Sequence, residues 1–169
     1  AGPLNRFSGL LEYTAIISLI HSLYGFTFSY LGIESKRYHS VAGVFHGLIL
    51  ILLWSTPYIV AENFITRDFL GLTSPYIEPA LGPLGSVFVV YAAMAGVTDI
   101  IIWIKHKGTD SKHRSTFLIG LCFWMLLCFN DALASLGFPT LQYLMEYGFL
   151  GFAMTVLWVV FSSYLEIAA

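Results

Sequence analysis

The amino-acid sequence predicts an all-α membrane protein, built as a bundle of about five transmembrane helices. Of its 169 residues, 57% are hydrophobic and only 11% are charged, and the mean hydropathy is +0.77. Soluble domains carry roughly 25% charged residues. A chain with less than half that share cannot cover its surface with ions, so its solvent must be largely lipid.

Five apolar segments are each long enough to cross a bilayer whose hydrocarbon core is about 30 Å thick. They span residues 8–32, 38–60, 82–104, 115–137 and 141–165. Because lipid offers an exposed backbone no hydrogen-bond partner, each segment is predicted to be a helix. We treat residues 1–169 as a single transmembrane domain.

The basic residues predict how these helices cross the membrane. Six of the eight Lys and Arg residues fall in two short loops, at Lys36, Arg37, Lys105, Lys107, Lys112 and Arg114. In a five-helix arrangement both loops lie on one side, which the positive-inside rule makes cytoplasmic. The N-terminus is then outside and the C-terminus lies in the cytoplasm.

The segment between the second and third helices, residues 61–81, is long for so compact a protein. It contains Pro75 and Pro79, with the apolar residues Phe64, Phe69 and Ile77 around them. Prolines exclude a continuous helix, and the apolar side chains argue against disorder. We predict a cap across the outer end of the bundle; the alternative is a simple tether with interfacial aromatic residues.

Polar and ionisable side chains inside a membrane mark candidate sites, because a charge at the bilayer centre costs at least ~2.5–3.5 kcal/mol. The first group lies near the outer ends of its helices and comprises Glu12, Asn130, Asp131 and Glu146. These residues are predicted to line a polar pocket that opens to the outside and binds a small ligand. The alternative is that they are solvated or bonded to helix ends, where the helix dipole favours an acid in the first turn.

The second group lies deeper, where His21, His46 and Asp99 fall at similar depths when counted along their helices. Asp99 is a further candidate ligand-binding residue. Two buried histidines on neighbouring helices, with Gly25 and Gly47 beside them, permit bis-histidine ligation of haem b. Two alternatives stay open, namely a hydrogen bond between the helices and contact with another ligand or metal ion.

The sequence carries none of the short motifs typical of soluble catalytic sites. It has no glycine-rich phosphate loop before a helix, no HExxH and no GxSxG. We therefore do not expect this segment itself to be an enzyme. A net charge of −2 also gives no electrostatic basis for binding nucleic acid.

Several short motifs follow one another through the last two thirds of the chain. They are Thr66-Arg67-Asp68-Phe69, Ile77-Glu78-Pro79-Ala80-Leu81-Gly82-Pro83-Leu84-Gly85, His113-Arg114, Asn130-Asp131-Ala132-Leu133, Leu136-Gly137, Phe138-Pro139-Thr140 and Glu146-Tyr147-Gly148-Phe149-Leu150. The pattern resembles the membrane-integral, multi-pass "7TM"-type N-terminal sensor regions of bacterial sensor histidine kinases and diguanylate cyclases. This sequence departs from those regions in showing five helices rather than seven.

The resemblance implies a transmembrane input module of a bacterial signalling protein in the inner membrane. Such a module binds a small ligand or cofactor within its bundle, works as a homodimer and signals through the fifth helix to a cytoplasmic output domain. That output domain is a histidine kinase of a two-component system or a diguanylate cyclase. Two other functions stay open: a cytochrome b-like haem protein, and a small transporter that uses intramembrane acids such as Asp99 and Asp131.

Overall fold

The computed structural model describes residues 3–34, 36–67, 76–106, 111–138, 140 and 142–168. Within these residues the chain forms five α-helices and two β-strands. In chain order they are α1 (Pro3–Tyr30), α2 (Lys36–Ser55), β1 (Val60–Arg67), β2 (Tyr76–Leu81), α3 (Gly85–Lys105), α4 (Ser111–Ser135) and α5 (Met145–Ala168). The structure is therefore mostly helical, as the composition predicts.

Four of the helices are long and apolar enough to cross a membrane, over Lys36–Ser55, Gly85–Lys105, His113–Ser135 and Met145–Glu166. This agrees with an all-α membrane protein. Helix α1 has 28 residues and a length of about 42 Å at 1.5 Å per residue, but it is not among these four. The predicted count of five crossings therefore stays a prediction.

The outward faces of the helices have the chemistry expected of a surface solvated by lipid. On α2, Val41, Val44, Leu48 and Ile51 recur at helical spacing, and each is at least 60% exposed. Helix α5 shows the same property at Leu150, Met154, Leu157 and Trp158. Contiguous apolar surface of this kind is rare on monomeric proteins in water, whereas lipid chains solvate it.

A β-hairpin occupies much of the segment that was predicted to form a cap. Strands β1 and β2 pair antiparallel, with Phe64 opposite Pro79 and Arg67 opposite Tyr76, and the register shifts between Val60 and Phe64. Both strands of a two-stranded sheet are edge strands. An edge strand accommodates a proline, which has no backbone N–H to donate. Pro75 and Phe69 lie outside the described residues.

The chain divides into two compact units, residues 1–95 and residues 96–169. In the first unit the hairpin packs on α1, and a side chain at Gly9 would lie 3.1 Å from the ring of Pro79. The core of this unit is a cluster of six buried apolar side chains. They are Leu10, Ile17, Leu53, Ile59, Val60 and Phe88.

The second unit contains the C-terminal half of α3 together with α4 and α5. Its core is aromatic: Trp103 stacks on Phe117 with ring centroids 4.1 Å apart, and Phe152 contacts both Phe117 and Trp124. Trp103 and Phe117 are fully buried. Buried aromatic rings in such arrangements contribute roughly 0.5–1.5 kcal/mol per pair beyond the area that they bury.

Candidate functional site

The best-defined polar cluster lies in the first unit, between α1 and α2. Helix α1 ends at a glycine cap, where Gly32 has a φ of +66° and the backbone N–H of Ile33 donates to the Phe28 carbonyl at 2.9 Å. A residue in this left-handed conformation is usually glycine, because it carries no Cβ that would clash. The cap reverses the chain so that α2 can return beside α1.

The turn brings His21 of α1 against His46 of α2. Their Nδ1 atoms are 3.2 Å apart, and the rings meet edge to face with centroids 5.3 Å apart. His46 is buried, with 5% of its surface exposed. The histidines are thus hydrogen-bonded to each other, which is one of the alternatives that the sequence left open.

Tyr91 on α3 extends this pair into a chain of three polar groups. Its hydroxyl oxygen lies 2.6 Å from Nε2 of His46, so both ring nitrogens of His46 are engaged. The Tyr91 ring is held beside Phe45 and Phe88. A single connected hydrogen-bonded chain therefore joins α1, α2 and α3 inside the first unit.

The chain of three groups has two neutral proton arrangements. In the first, the Tyr91 hydroxyl donates to Nε2 of His46, and Nδ1–H of His46 donates to His21. In the second, Nδ1–H of His21 donates to His46, and Nε2–H of His46 donates to the Tyr91 oxygen. Both keep the two hydrogen bonds of the chain, because a neutral imidazole has one donor and one acceptor, while a hydroxyl is both.

Aromatic and histidine side chains surround the chain on α1 and α2. His39 contacts the His21 ring edge to face, with centroids 5.8 Å apart, and its Cε1 atom lies 3.3 Å from where a Cβ at Gly25 would be. Tyr24 donates a hydrogen bond to the Ala95 carbonyl at 2.8 Å and so ties α1 to α3. Because Gly25 has no side chain, the ring of His39 has room beside α1 at this residue.

The geometry of the histidine pair does not fit bis-histidine haem ligation. Axial ligands must direct one nitrogen each at a common iron from opposite faces of the macrocycle. Here the facing nitrogens of His21 and His46 bond each other, and the remaining nitrogen of His46 bonds Tyr91. We therefore do not treat the two histidines as metal ligands.

Asp99, the third member of the predicted inner group, lies on α3 in the second unit. It is fully buried, one helical turn before Trp103. Its burial agrees with a costly intramembrane acid. Its grouping with the histidines, which belong to the first unit, stays a prediction.

The outer group is partly assembled at the junction of α4 and α5. The carboxylate of Asp131 accepts hydrogen bonds from the backbone N–H groups of Leu144 at 2.8 Å and Met145 at 2.7 Å. Asn130 donates to the same carboxylate at 3.0 Å and to the Gln142 carbonyl at 3.1 Å. Asp131 therefore caps the N-terminus of α5, which is the structural alternative that the sequence left open.

The two glutamates of the outer group have more exposed positions. Glu146 lies in the first turn of α5 and is exposed, and Glu12 is exposed on α1 in the first unit. An acid in the first turn of a helix is favoured by the dipole without any ligand. Binding of a small molecule by Glu12, Asn130, Asp131, Glu146 and Asp99 stays a prediction.

Sequence reasoning missed two of the polar contacts that the structure forms. Tyr91 was not among the candidates, although it lies about 9 Å along α3, counted from Gly85 at 1.5 Å per residue. A depth count that included tyrosines would have found it. His113, which was not a candidate either, is buried, and its Nε2 lies 3.2 Å from Oε2 of Glu166 on α5.

No family model matches the chain, and neither does any curated protein or solved structure. The function must therefore be argued from the geometry together with the short sequence motifs.

Proposed function

We propose that the protein is the membrane-embedded input module of a bacterial signalling protein, with the chain His21–His46–Tyr91 as its responsive element. The observation that carries this proposal is the hydrogen-bonded chain itself, which connects three helices. Polar groups at membrane depth are costly and mark functional sites by default. A signalling module needs an element with two states, and the two proton arrangements of this chain supply one.

The proposal includes a topology in which both basic loops face the cytoplasm. If α2 to α5 each cross once, the start of α2, the connection between α3 and α4 and the end of α5 share one side. That side carries the six clustered basic residues, so the positive-inside rule makes it cytoplasmic. The cytoplasmic position of these residues holds whether or not α1 crosses the membrane. If α1 also crosses, the N-terminus lies outside.

The output side of the proposed module is α5. It is helical to Ala168, and near its end Glu166 pairs with His113 at the start of α4. A helix leaving the membrane there is suited to carry a small shift or rotation into a cytoplasmic output domain. We propose a homodimer in the bacterial inner membrane, with a histidine kinase or diguanylate cyclase as the output.

A reporter experiment tests the function. The chain is joined after Glu166, in several helical phases, to the cytoplasmic part of a membrane histidine kinase that drives a transcriptional reporter. Tyr91→Phe removes the hydrogen bond between His46 and α3, worth about 1 kcal/mol, from both proton arrangements and so uncouples the histidine pair from α3. We expect output to differ from that of the wild type. Tyr147→Phe, the same change at an exposed position, is the control and should leave output as in the wild type.

Two outcomes of this experiment contradict the proposal. One is wild-type output from the Tyr91→Phe chimera at equal abundance in the membrane. The other is a chimera that inserts but stays inactive in every helical phase. Proton flux in proteoliposomes that depends on Tyr91 favours the transporter instead, because a carrier would use the same chain for proton movement.

A further inference from the structure

We propose that His21 and His46 together form a binding site for one proton, and that the proton is the ligand of the responsive element. This inference rests on the proposed function for its biological meaning. Its physical content rests on the geometry of the pair alone.

The contact between the two rings limits what the site can hold. The facing atoms are both Nδ1, only 3.2 Å apart, so one proton occupies the space between them in any hydrogen-bonded state. In the neutral pair that proton belongs to one ring and is accepted by the other. If both rings were imidazolium, two N–H groups would point at each other, and the hydrogen bond would be replaced by repulsion between like charges.

One additional proton is accommodated without loss of a hydrogen bond. If it binds at Nε2 of His46, that ring donates through Nδ1 to His21 and through Nε2 to the Tyr91 oxygen, 2.6 Å away. The Tyr91 hydroxyl then acts only as an acceptor toward His46, and its own proton turns away. Proton binding at the α1–α2 contact is thereby transmitted to a side chain of α3.

The titratable side chains around the pair come from all three helices. His39 contacts His21 from α2, and Tyr38, also on α2, contacts both His39 and Tyr24. Tyr24 comes from α1 and Tyr91 from α3. Tyrosines are neutral near pH 7, so His39 is the one of these four side chains that could place a positive charge beside the pair.

Protonation of one ring affects the other. Because the two rings share one hydrogen bond, they bind protons as a coupled pair and not as two independent groups. We expect uptake of one proton by the pair, in a single step that both rings report.

Proton counting on the whole protein tests this inference. Purified protein in nanodiscs is titrated without buffer between about pH 8 and pH 5, and its uptake is compared with that of the double variant His21→Gln/His46→Gln. Glutamine keeps a donor and an acceptor near each position. Both proteins also carry His39→Gln, so that the neighbouring imidazole takes no part in the difference, and we expect the protein with the intact pair to take up one proton more. A difference of two protons, or of none, overturns the inference.

Nitrogen-15 spectra of the histidines in the wild type give a second measurement that needs no variant in the pair. The ring signals of His21 and His46 should move together at one pH midpoint. Independent midpoints contradict a shared site. His106→Gln is the control: it removes its own signal and leaves those of the pair unchanged.

The two proposals can fail separately. One-proton uptake by the pair, together with reporter output that ignores both pH and Tyr91, sustains the proton site and refutes the sensor function. Reporter output that depends on Tyr91, without proton uptake by the pair, sustains the sensor and refutes the proton as its ligand.

Discussion

Single buried side chains tie the helices of this protein together at a few polar points. His46 links α1 to α3 through His21 and Tyr91, and Asp131 links α4 to the start of α5. A buried polar group left without its partner costs roughly 1–3 kcal/mol. Substitutions at these points are therefore expected to affect stability or response much more than substitutions at exposed positions.

Asp131→Ala should destabilise the protein by about 2 kcal/mol, because α5 loses a charged acceptor for two of its first backbone N–H groups. Asp131→Asn should cost less, since the amide oxygen can still accept. Reversible unfolding in mixed micelles measures both. Glu146→Ala, at an exposed position in the first turn of the same helix, is the control with a small expected effect.

A result in which Asp131→Ala and Glu146→Ala destabilise equally would contradict the capping role of Asp131. A ligand-binding role of Asp131 predicts a different pattern: loss of response at unchanged stability.

At the scale of secondary-structure elements, close helix packing in the second unit depends on a small residue. A Cβ at Gly120 of α4 would lie 2.6 Å from Oγ1 of Thr155 on α5, nearer than real Cβ atoms approach. Small residues at such contacts let two helix backbones come together within a membrane. Gly43 of α2 is the opposite case, because nothing lies within 4 Å of its Cβ position.

Gly120→Ala should destabilise the protein by about 1–3 kcal/mol through overpacking. Adding Thr155→Ala should restore part of this loss, because it removes the atoms that the new methyl group meets. Gly43→Ala is the matched control and should be neutral or stabilising by up to about 1 kcal/mol, since alanine is the better helix former. Thermal unfolding in one detergent compares all four proteins.

Equal destabilisation by Gly120→Ala and Gly43→Ala would show that helix propensity, and not packing between α4 and α5, determines the effect at Gly120.

At the scale of the whole molecule, the chain has two kinds of surface. Its helices expose apolar stripes, while the clustered basic residues lie at or near the start of α2, the end of α3 and the start of α4. This separation is what a bilayer requires, since lipid chains solvate the stripes and anionic headgroups attract basic residues.

Reporter fusions after His106 and after Glu166 should report the cytoplasm, and a fusion after Arg67 should report the outside. A tag placed before Pro3 should be outside if α1 crosses the membrane, and cytoplasmic if only α2 to α5 cross. Accessibility to a membrane-impermeant label in intact cells measures the position of the tag. A cytoplasmic signal after Arg67 would refute the proposed topology.

The candidate site was predictable only in part. Counting residues along apolar helices brought His21 and His46 to one depth, and the pair does form. Asn130 and Asp131 were predicted to lie near the outer ends of their helices, whereas their contacts with the start of α5 follow from which backbone groups they reach. The hairpin was not predicted because the prolines in residues 61–81 were used only to exclude a continuous helix, whereas strands at an edge accept them.

The sequence by itself determined that this protein is mostly helical and apolar enough for a membrane, and where its apolar helices lie. These properties are local, because the composition of a segment and its length along the helix axis do not depend on its neighbours. The sidedness of its basic residues stays a prediction. Only the tertiary structure decided that His46 bonds both His21 and Tyr91, which lie 25 and 45 positions away. Such contacts depend on how each helix is rotated about its axis, and that rotation is determined by packing against the other helices.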